Sequence, residues 1–418
     1  MIRWLVLAAI ALAALLPAAA PANTGKLLIV GGGLGLENEA VYRALIDSRP
    51  ADAPTIAIIS AAASDPHGRA ATFAGELMFH GIEPDEIVIV RLASVDDPET
   101  PDIDESDWVA NAANPEEIAK IESAGAIWLT DGDPLRLTQA LVRPGGFDSP
   151  MLMAIRDRLR AGVIVGGIGA GAAAMSSPMI ANGEAFDALF GLVTNETTDG
   201  AEEGEDDLQP LVLPQGLRLF SPFTIDTEFG QRGRLGLLAR AILEQPEAAR
   251  IGLGIDSGTA LLVDFETASA QVLGIGAVTL LDGRRAQRTV SISGFLIRGL
   301  RLSRLHDGDR LSLTDLEVRP DPARLAVEDR QRAFGAIWPS AESLAVLESE
   351  QRTLQVSERY LRGNARIDVR LEDRKRSAEF RFIGGRDSRY FRRLDDEGWA
   401  GTLTGISLSI DGHVSPVP

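Results

Sequence analysis

Short apolar runs punctuate the first 170 positions of the chain. Residues 26–30, 55–60, 86–90 and 126–130 are rich in Ile, Leu and Val with no polar alternation, the pattern of strands buried on both faces of a parallel sheet. Between them, residues 38–47, 68–78 and 115–123 space their apolar positions as helices do. A further strand is predicted at 162–165, running into the small-residue stretch 170–175. Strands alternating with helices predict a doubly wound α/β domain. Ligands of such sheets bind at the carboxyl ends of the strands, which draws attention to three turns. These are Gly31-Gly32-Gly33, Asp131-Gly132-Asp133 and Gly166-Gly167-Ile168-Gly169.

From about residue 290 the pattern changes. Residues 289–297, 310–313, 365–371, 378–383 and 402–410 read as strands. Residues 325–337 and 340–351 read as helices, with Ser340 as the N-cap of the second. Gly384-Gly385 and Asp411-Gly412 are turn signals. The expected organisation is an α/β body over 23–289 and a β-rich C-terminal extension or small domain over 290–418. The strands of that second part are expected to pair with one another through the Gly384-Gly385 turn, and it carries no motif with assignable chemistry.

The first 22 residues have another character. Arg3, the apolar run 5–16 and the segment Ala18-Ala19-Ala20-Pro21-Ala22 have the pattern of an export signal cleaved after Ala22, which predicts a secreted or periplasmic protein. The run is too short to span a bilayer comfortably.

Composition narrows the chemistry. The 418 residues suit two domains, and their 45% apolar and 24% charged content is that of a soluble protein. Lys and Arg number 41 against 60 Asp and Glu, a net charge of −19. Such a body repels nucleic acid and anionic lipid and favours a peptide or a small cationic ligand as partner. There are no cysteines, which excludes disulfides, thiolate metal sites and a Cys nucleophile. Any catalytic imidazole must be His67, His80, His306 or His413. The acidic cluster Glu202, Glu203, Glu205, Asp206 and Asp207 is not spaced as a calcium loop and reads as a solvated segment. No cofactor or metal is called for. In Gly31-Gly32-Gly33-Leu34-Gly35 the third glycine of a dinucleotide fingerprint would be Leu36, so the run reads as a tight turn.

Gly167-Ile168-Gly169-Ala170-Gly171 has the strand–turn–helix layout of a nucleophile elbow, with Gly169 at its centre. Close packing of helix on strand would ask for the same glycines. Five segments together resemble the cyanophycinase family of serine exopeptidases. Residues 165–173 resemble its G-G-T-S-A-G-A elbow, and Ser176-Ser177-Pro178-Met179-Ile180 a following segment that ends in Met-Ile. Residues 225–235, Ile-Asp-Thr-Glu-Phe-Gly-Gln-Arg-Gly-Arg-Leu, resemble its D-Q-H-F-x-x-R-x-R-L stretch. Residues 253–260 resemble its G-I-D-E-x-T-A strand, and residues 131–137 its G-G-D-Q-x-R-L turn.

The resemblance covers about residues 25–280. It implies a flavodoxin-like sheet akin to class I glutamine amidotransferases. It also implies a pocket formed by Gly132, Asp133, Pro134, Gly167, Ala170, Asp226, Thr227, Arg232 and Arg234. The departures are at the chemistry. The family's Ser nucleophile falls on Gly169 and its catalytic His on Glu228. Its two Gln positions fall on Pro134 and Thr227, and its acidic triad member falls on Glu184 or Asp187.

Without a hydroxyl there is no acyl-enzyme, and without imidazole no group returns a proton near neutrality. The expectation is a non-catalytic binding or scaffold protein on a peptidase fold. One alternative keeps chemistry, with Glu228 as general base and the elbow N–H groups polarising a carbonyl. In another, Asp133, Asp226 and Glu228 gather a cation. A third alternative is a working serine peptidase on acidic or β-linked Asp-Arg peptides, which holds if the family's Ser and His align elsewhere than at Gly169 and Glu228.

Overall fold

The computed structural model describes residues 24–195, 208–327, 353–361, 364–373, 375–392 and 401–415. The expected export leader, the acidic cluster at 202–207, the helix expected at 340–351 and most of that at 325–337 lie outside the described residues. Leu325–Ala326, within the last of these, is extended and pairs with Phe391 and Arg392.

Five apolar runs form the parallel strands β1 (Lys26–Val30), β2 (Ile56–Ile59), β3 (Ile87–Val90), β4 (Ala126–Leu129) and β5 (Ile164–Ile168). They lie in the order β1-β5-β4-β2-β3. Alternate side chains enter two cores. Leu27, Ile29, Ile127, Leu129 and Val165 pack into one, and Leu28, Val30, Ile56, Trp128 and Ile164 into the other. The exception is β3, expected to be buried, which is a half-exposed edge strand with Ile89 44% exposed.

The helices are α1 (Glu39–Ile46), α2 (Pro66–Phe79), α3 (Pro115–Ser123), α4 (Pro134–Leu141) and α5 (Pro150–Arg160). Four of them begin with proline, which suits the first turn because its missing N–H would have no helical partner there. Helices α1 and α2 cover one face, α3, α4 and α5 the other. The chain has a flavodoxin-like α/β fold with a β-rich extension.

The expected break at residue 290 does not divide the sheets. The body continues through α6 (Ala170–Ala173), α7 (Ala185–Phe190), β6 (Phe223–Thr227), α8 (Leu235–Leu243), β7 (Ile251–Ile255), β8 (Thr259–Asp264), β9 (Ser269–Gly274) and β10 (Ala277–Asp282). Next come β11 (Gln287–Ser291), β12 (Gly294–His306), β13 (Arg310–Ser312) and β14 (Val318–Arg319). Strands β8, β9, β13 and β14 extend the parallel sheet antiparallel from the β1 side.

The second sheet runs β6-β7-β10-β12 and then through β19 (Gly401–Val414), β17 (Arg376–Gly384), β16 (Asn364–Glu372) and β15 (Thr353–Leu361). Here β12, beyond the expected boundary, pairs along β10 of the body. The extension is therefore continuous with both sheets, because β10 and β9 offer open edges that β12 and β13 complete. A third core, closed by α7 and α8, holds Leu281, Leu302, Phe380 and Phe382.

The tail strands do pair with one another, but of the two expected turns one fails and the other forms without joining paired strands. Asp411-Gly412 lies inside β19, where a side chain on Gly412 would meet the Phe295 ring at 2.2 Å. The glycine admits that ring from the paired strand. Gly384-Gly385 ends β17, but the next strand β18 (Arg389–Arg392) pairs with β19 and with Leu325–Ala326 and not with β17. The run 289–297 is likewise split into the hairpin β11–β12.

His306 lies at the end of β12, 7% exposed. Burial, then the neighbouring Arg304 and Arg324 charges, push its imidazole down to about 3. The folded protein thus keeps this ring neutral while an unfolded chain protonates it near pH 6.5. Its contribution to stability is full above 6.5 and is lost as the pH falls toward 3. Denaturant unfolding at pH 7 and pH 5 should show wild type losing stability more steeply than His306→Leu, by at most about 1.4 kcal/mol per pH unit.

Candidate functional site

At the carboxyl ends of β4, β5 and β6 lies a cavity of about 330 Å³. Its floor is the turn from β5 into α6. Gly169 occupies that turn with φ +51° and ψ −112°, a strained conformation that residues with a side chain rarely adopt. The helix sits almost on the strands. A Cβ on Gly171 would lie 2.4 Å from the Leu129 carbonyl oxygen, and one on Gly167 would lie 2.8 Å from the Gly171 backbone. Gly167 therefore serves helix–strand contact and does not line the cavity, contrary to its expected place in the pocket.

Asp131 follows β4 and reaches the elbow. Its Oδ1 accepts hydrogen bonds from the N–H of Ala170 and of Gly132, both at 2.8 Å. The carboxylate fills the space a side chain at position 169 would need: a Cβ on Gly169 would lie 2.1 Å from Asp131 Oδ1 and 2.4 Å from its Cγ. In an elbow enzyme the N–H after the nucleophile, here that of Ala170, serves the oxyanion. In this chain that donor is committed to Asp131, which removes the support the Glu228 general-base alternative needed. Sequence reasoning passed over Asp131. The available signal was the first glycine of the family's G-G-D-Q turn, which this chain replaces with Asp.

Glu228 directly follows β6, and Asp226 lies within that strand. Glu228 has φ +49°, donates its N–H to the Gly31 carbonyl at 2.7 Å, and packs its Cγ 3.0 Å from where a Cβ on Gly32 would lie. The glycine turn after β1 thus shapes the Glu228 backbone. The Glu228 carboxylate meets Arg232 at 3.8 Å, both side chains half-exposed. Gly169 and Glu228 line the same cavity.

Asp226 is buried, with Oδ1 2.7 Å from Arg234 Nε and Oδ2 without a hydrogen-bond partner. Burial pushes its carboxyl above the usual range, against the pull of Arg234 and Arg232. Gly132, Pro134, Ala170 and Thr227 also border the cavity. Asp133 does not. Its Oδ1 caps α4 by accepting the Leu135 N–H at 2.8 Å, away from the cavity that Asp226 and Glu228 line.

Neither proposed acidic member lines the cavity. Glu184 precedes α7, and Asp187 is buried within that helix, with Oδ2 3.4 Å from the Gln209 N–H. Arg69, from the first turn of α2, and Asn182 complete the rim without any sequence signal.

All four histidines are described, and none lines the cavity. His67 bonds Glu105 at 2.8 Å, His80 stacks on Tyr42, His306 is buried, and His413 meets Asp411 at 3.2 Å.

Comparison with known proteins agrees with the motif resemblance. The cyanophycinase of Trichormus variabilis is 32% identical over 215 residues, 50% of this chain and 63% of that protein. The cyanophycinase of Geminocystis herdmanii is 32% identical over 197 residues, 46% of this chain and 63% of that protein. The chain thus spans somewhat under two thirds of the length of these relatives. A peptidase from an acI-B1 Actinobacterium covers 70% of this chain and 98% of its own at 18% identity, with a TM-score of 0.45. No family model matches the chain. The chain is cyanophycinase-like.

The conflict at the elbow can be measured. Gly169→Ala should destabilise the protein by about 1–3 kcal/mol, from strained dihedrals and the clash with Asp131. In an Asp131→Gly background the steric part disappears, so the two changes should be non-additive in a denaturant double-mutant cycle. Simple additivity would mean that the carboxylate does not occupy this space.

Proposed function

We propose that this cyanophycinase-like chain has left serine-peptidase chemistry and uses the former active-site cavity to bind a small ligand or peptide end. One observation carries the reading: the elbow residue is Gly169, and the Asp131 carboxylate stands in the nucleophile's space while holding the Ala170 N–H. Loss of a triad nucleophile alone costs on the order of 10⁶ in turnover. Here the nucleophile, the base and the elbow's amide donor are all unavailable to an acyl group. The glycines under the elbow and the Asp226–Arg234 pair remain, and they support a formed cavity without covalent chemistry.

Wild-type protein should not react with a fluorophosphonate probe. Gly169→Ser with Glu228→His should also stay unlabelled, because Asp131 still blocks the hydroxyl and the oxyanion donor. Weak labelling is expected first when Asp131→Gly is added. Phosphonate on any wild-type serine beside the cavity would overturn the reading.

The leader pattern supports export, so this function is placed outside the cytoplasm. Mass spectrometry of protein from its native host should find Asn23 at the N-terminus. An intact Met1 on cytoplasmic protein would refute this placement.

A further inference from the structure

The cavity is walled from two sheets. Gly169 and Ala170 follow β5 of the parallel sheet, whereas Thr227, Glu228, Arg232 and Arg234 come from β6 and the turn after it, at the edge of the second sheet. That second sheet contains β12, a strand of the C-terminal extension, which pairs along β10. One cross-strand row, Asp226–Gly254–Thr279–Arg304, runs from the cavity wall into the extension.

The turn 228–234 folds over this row. A Cβ on Gly254 would meet the Phe229 ring at 2.3 Å, so the bare glycine lets that ring rest on the sheet. Asp256, 3% exposed, then fastens the middle of the turn. Its Oδ1 accepts the Gly230 N–H at 2.9 Å, and its Oδ2 accepts the Ala277 N–H at 3.1 Å. Arg304 Nη2 donates to the same Oδ2 at 3.2 Å, so the positive charge opposite this buried carboxylate comes from the extension. Neither Asp256 nor Arg304 lines the cavity.

We propose that Arg304 is a positioning residue of the cavity: acting through Asp256 and the Gly230 amide, it fixes the turn that carries Glu228, Arg232 and Arg234. The extension is then a working part of the site. Without the guanidinium, Asp256 is a buried charge left uncompensated, and it recovers solvation only by turning away from its present donors. The ends of the turn have anchors of their own, the Glu228 N–H on the Gly31 carbonyl and Arg234 on Asp226. Loss of Arg304 therefore frees the middle of the turn and leaves its ends in place. The proposal takes the cavity as the binding site described above, but the link does not depend on whether acyl chemistry is lost.

Hydrogen–deuterium exchange of the full chain, read by mass spectrometry, tests this. In Arg304→Met, residues 229–233 should exchange faster by about tenfold or more, while 26–30 and 126–129 keep their wild-type protection. Arg304→Lys retains the charge and should recover most of the lost protection. Arg301→Met removes an exposed arginine of the same strand, bonded to the Gly405 carbonyl at 3.4 Å, and should exchange as wild type does. The proposal fails if the turn in Arg304→Met stays within about twofold of wild type. It fails equally if 26–30 loosens by the same factor, which would make Arg304 a support of the fold alone, or if Arg304→Lys is as loose as Arg304→Met. Should Arg304→Met not fold, Asp256→Asn carries the same expectation and the same conditions of failure. Phosphonate labelling of the wild type would overturn the non-catalytic reading and leave this link standing. An unmoved turn would overturn the link in an unlabelled protein.

Discussion

A chain that leaves a buried strand and enters a helix across a single residue must hold that residue in a conformation side chains resist. Gly169 meets this constraint at φ +51°, and the rest of the site follows from it. The turn works only if α6 lies almost against β4 and β5, which excludes side chains at Gly167 and Gly171. That approach points the first amide of α6 into the cavity and sets it beside the end of β4. The glycines after β1 and the φ +49° backbone of Glu228 form the opposite wall by the same logic of close backbone approach.

Such a frame does not depend on a hydroxyl at its centre. The need for small residues at the elbow is steric and belongs to folding. A hydroxyl at its centre is needed only for acyl transfer. Glycine at 169 relieves the strain and leaves a space beside an unsatisfied N–H. Asp131 fills both needs, since its carboxylate accepts the amide and occupies the volume. The Asp226–Arg234 pair beneath the cavity is sheltered from solvent, where truncating one partner would leave a buried charge uncompensated.

The parallel strands were legible because burial on both faces demands unbroken apolar runs, and the five expected strands match β1–β5 to within three residues at either end. The helices were legible from apolar spacing, and Pro115–Ser123 agrees at both ends. Where one residue type can serve two purposes, the reading failed. Gly412 looks like a turn residue but makes room for Phe295. Asp133 looks like a pocket acid but is a helix cap. The division at residue 290 followed a real change from buried runs to alternation. Alternation reports one solvated face per strand, however, and is silent about which strand lies alongside.

The residues that the motif resemblance aligns with a nucleophile and a base, Gly169 and Glu228, could be read directly from the chain because they sit within local motifs whose spacing is rigid. The absence of cysteine and the scarcity of histidine were equally plain. The role of Asp131 could not be read in this way. It lies 39 positions from Ala170, and its contact arises only when β4 and β5 align in register and α6 packs on both. The same holds for the histidines, for Glu184 and Asp187, and for the edges that join the extension to the body. Local pattern specifies which face of an element is buried. Which side chains from distant segments then meet depends on register and packing, which become definite when the whole sheet closes.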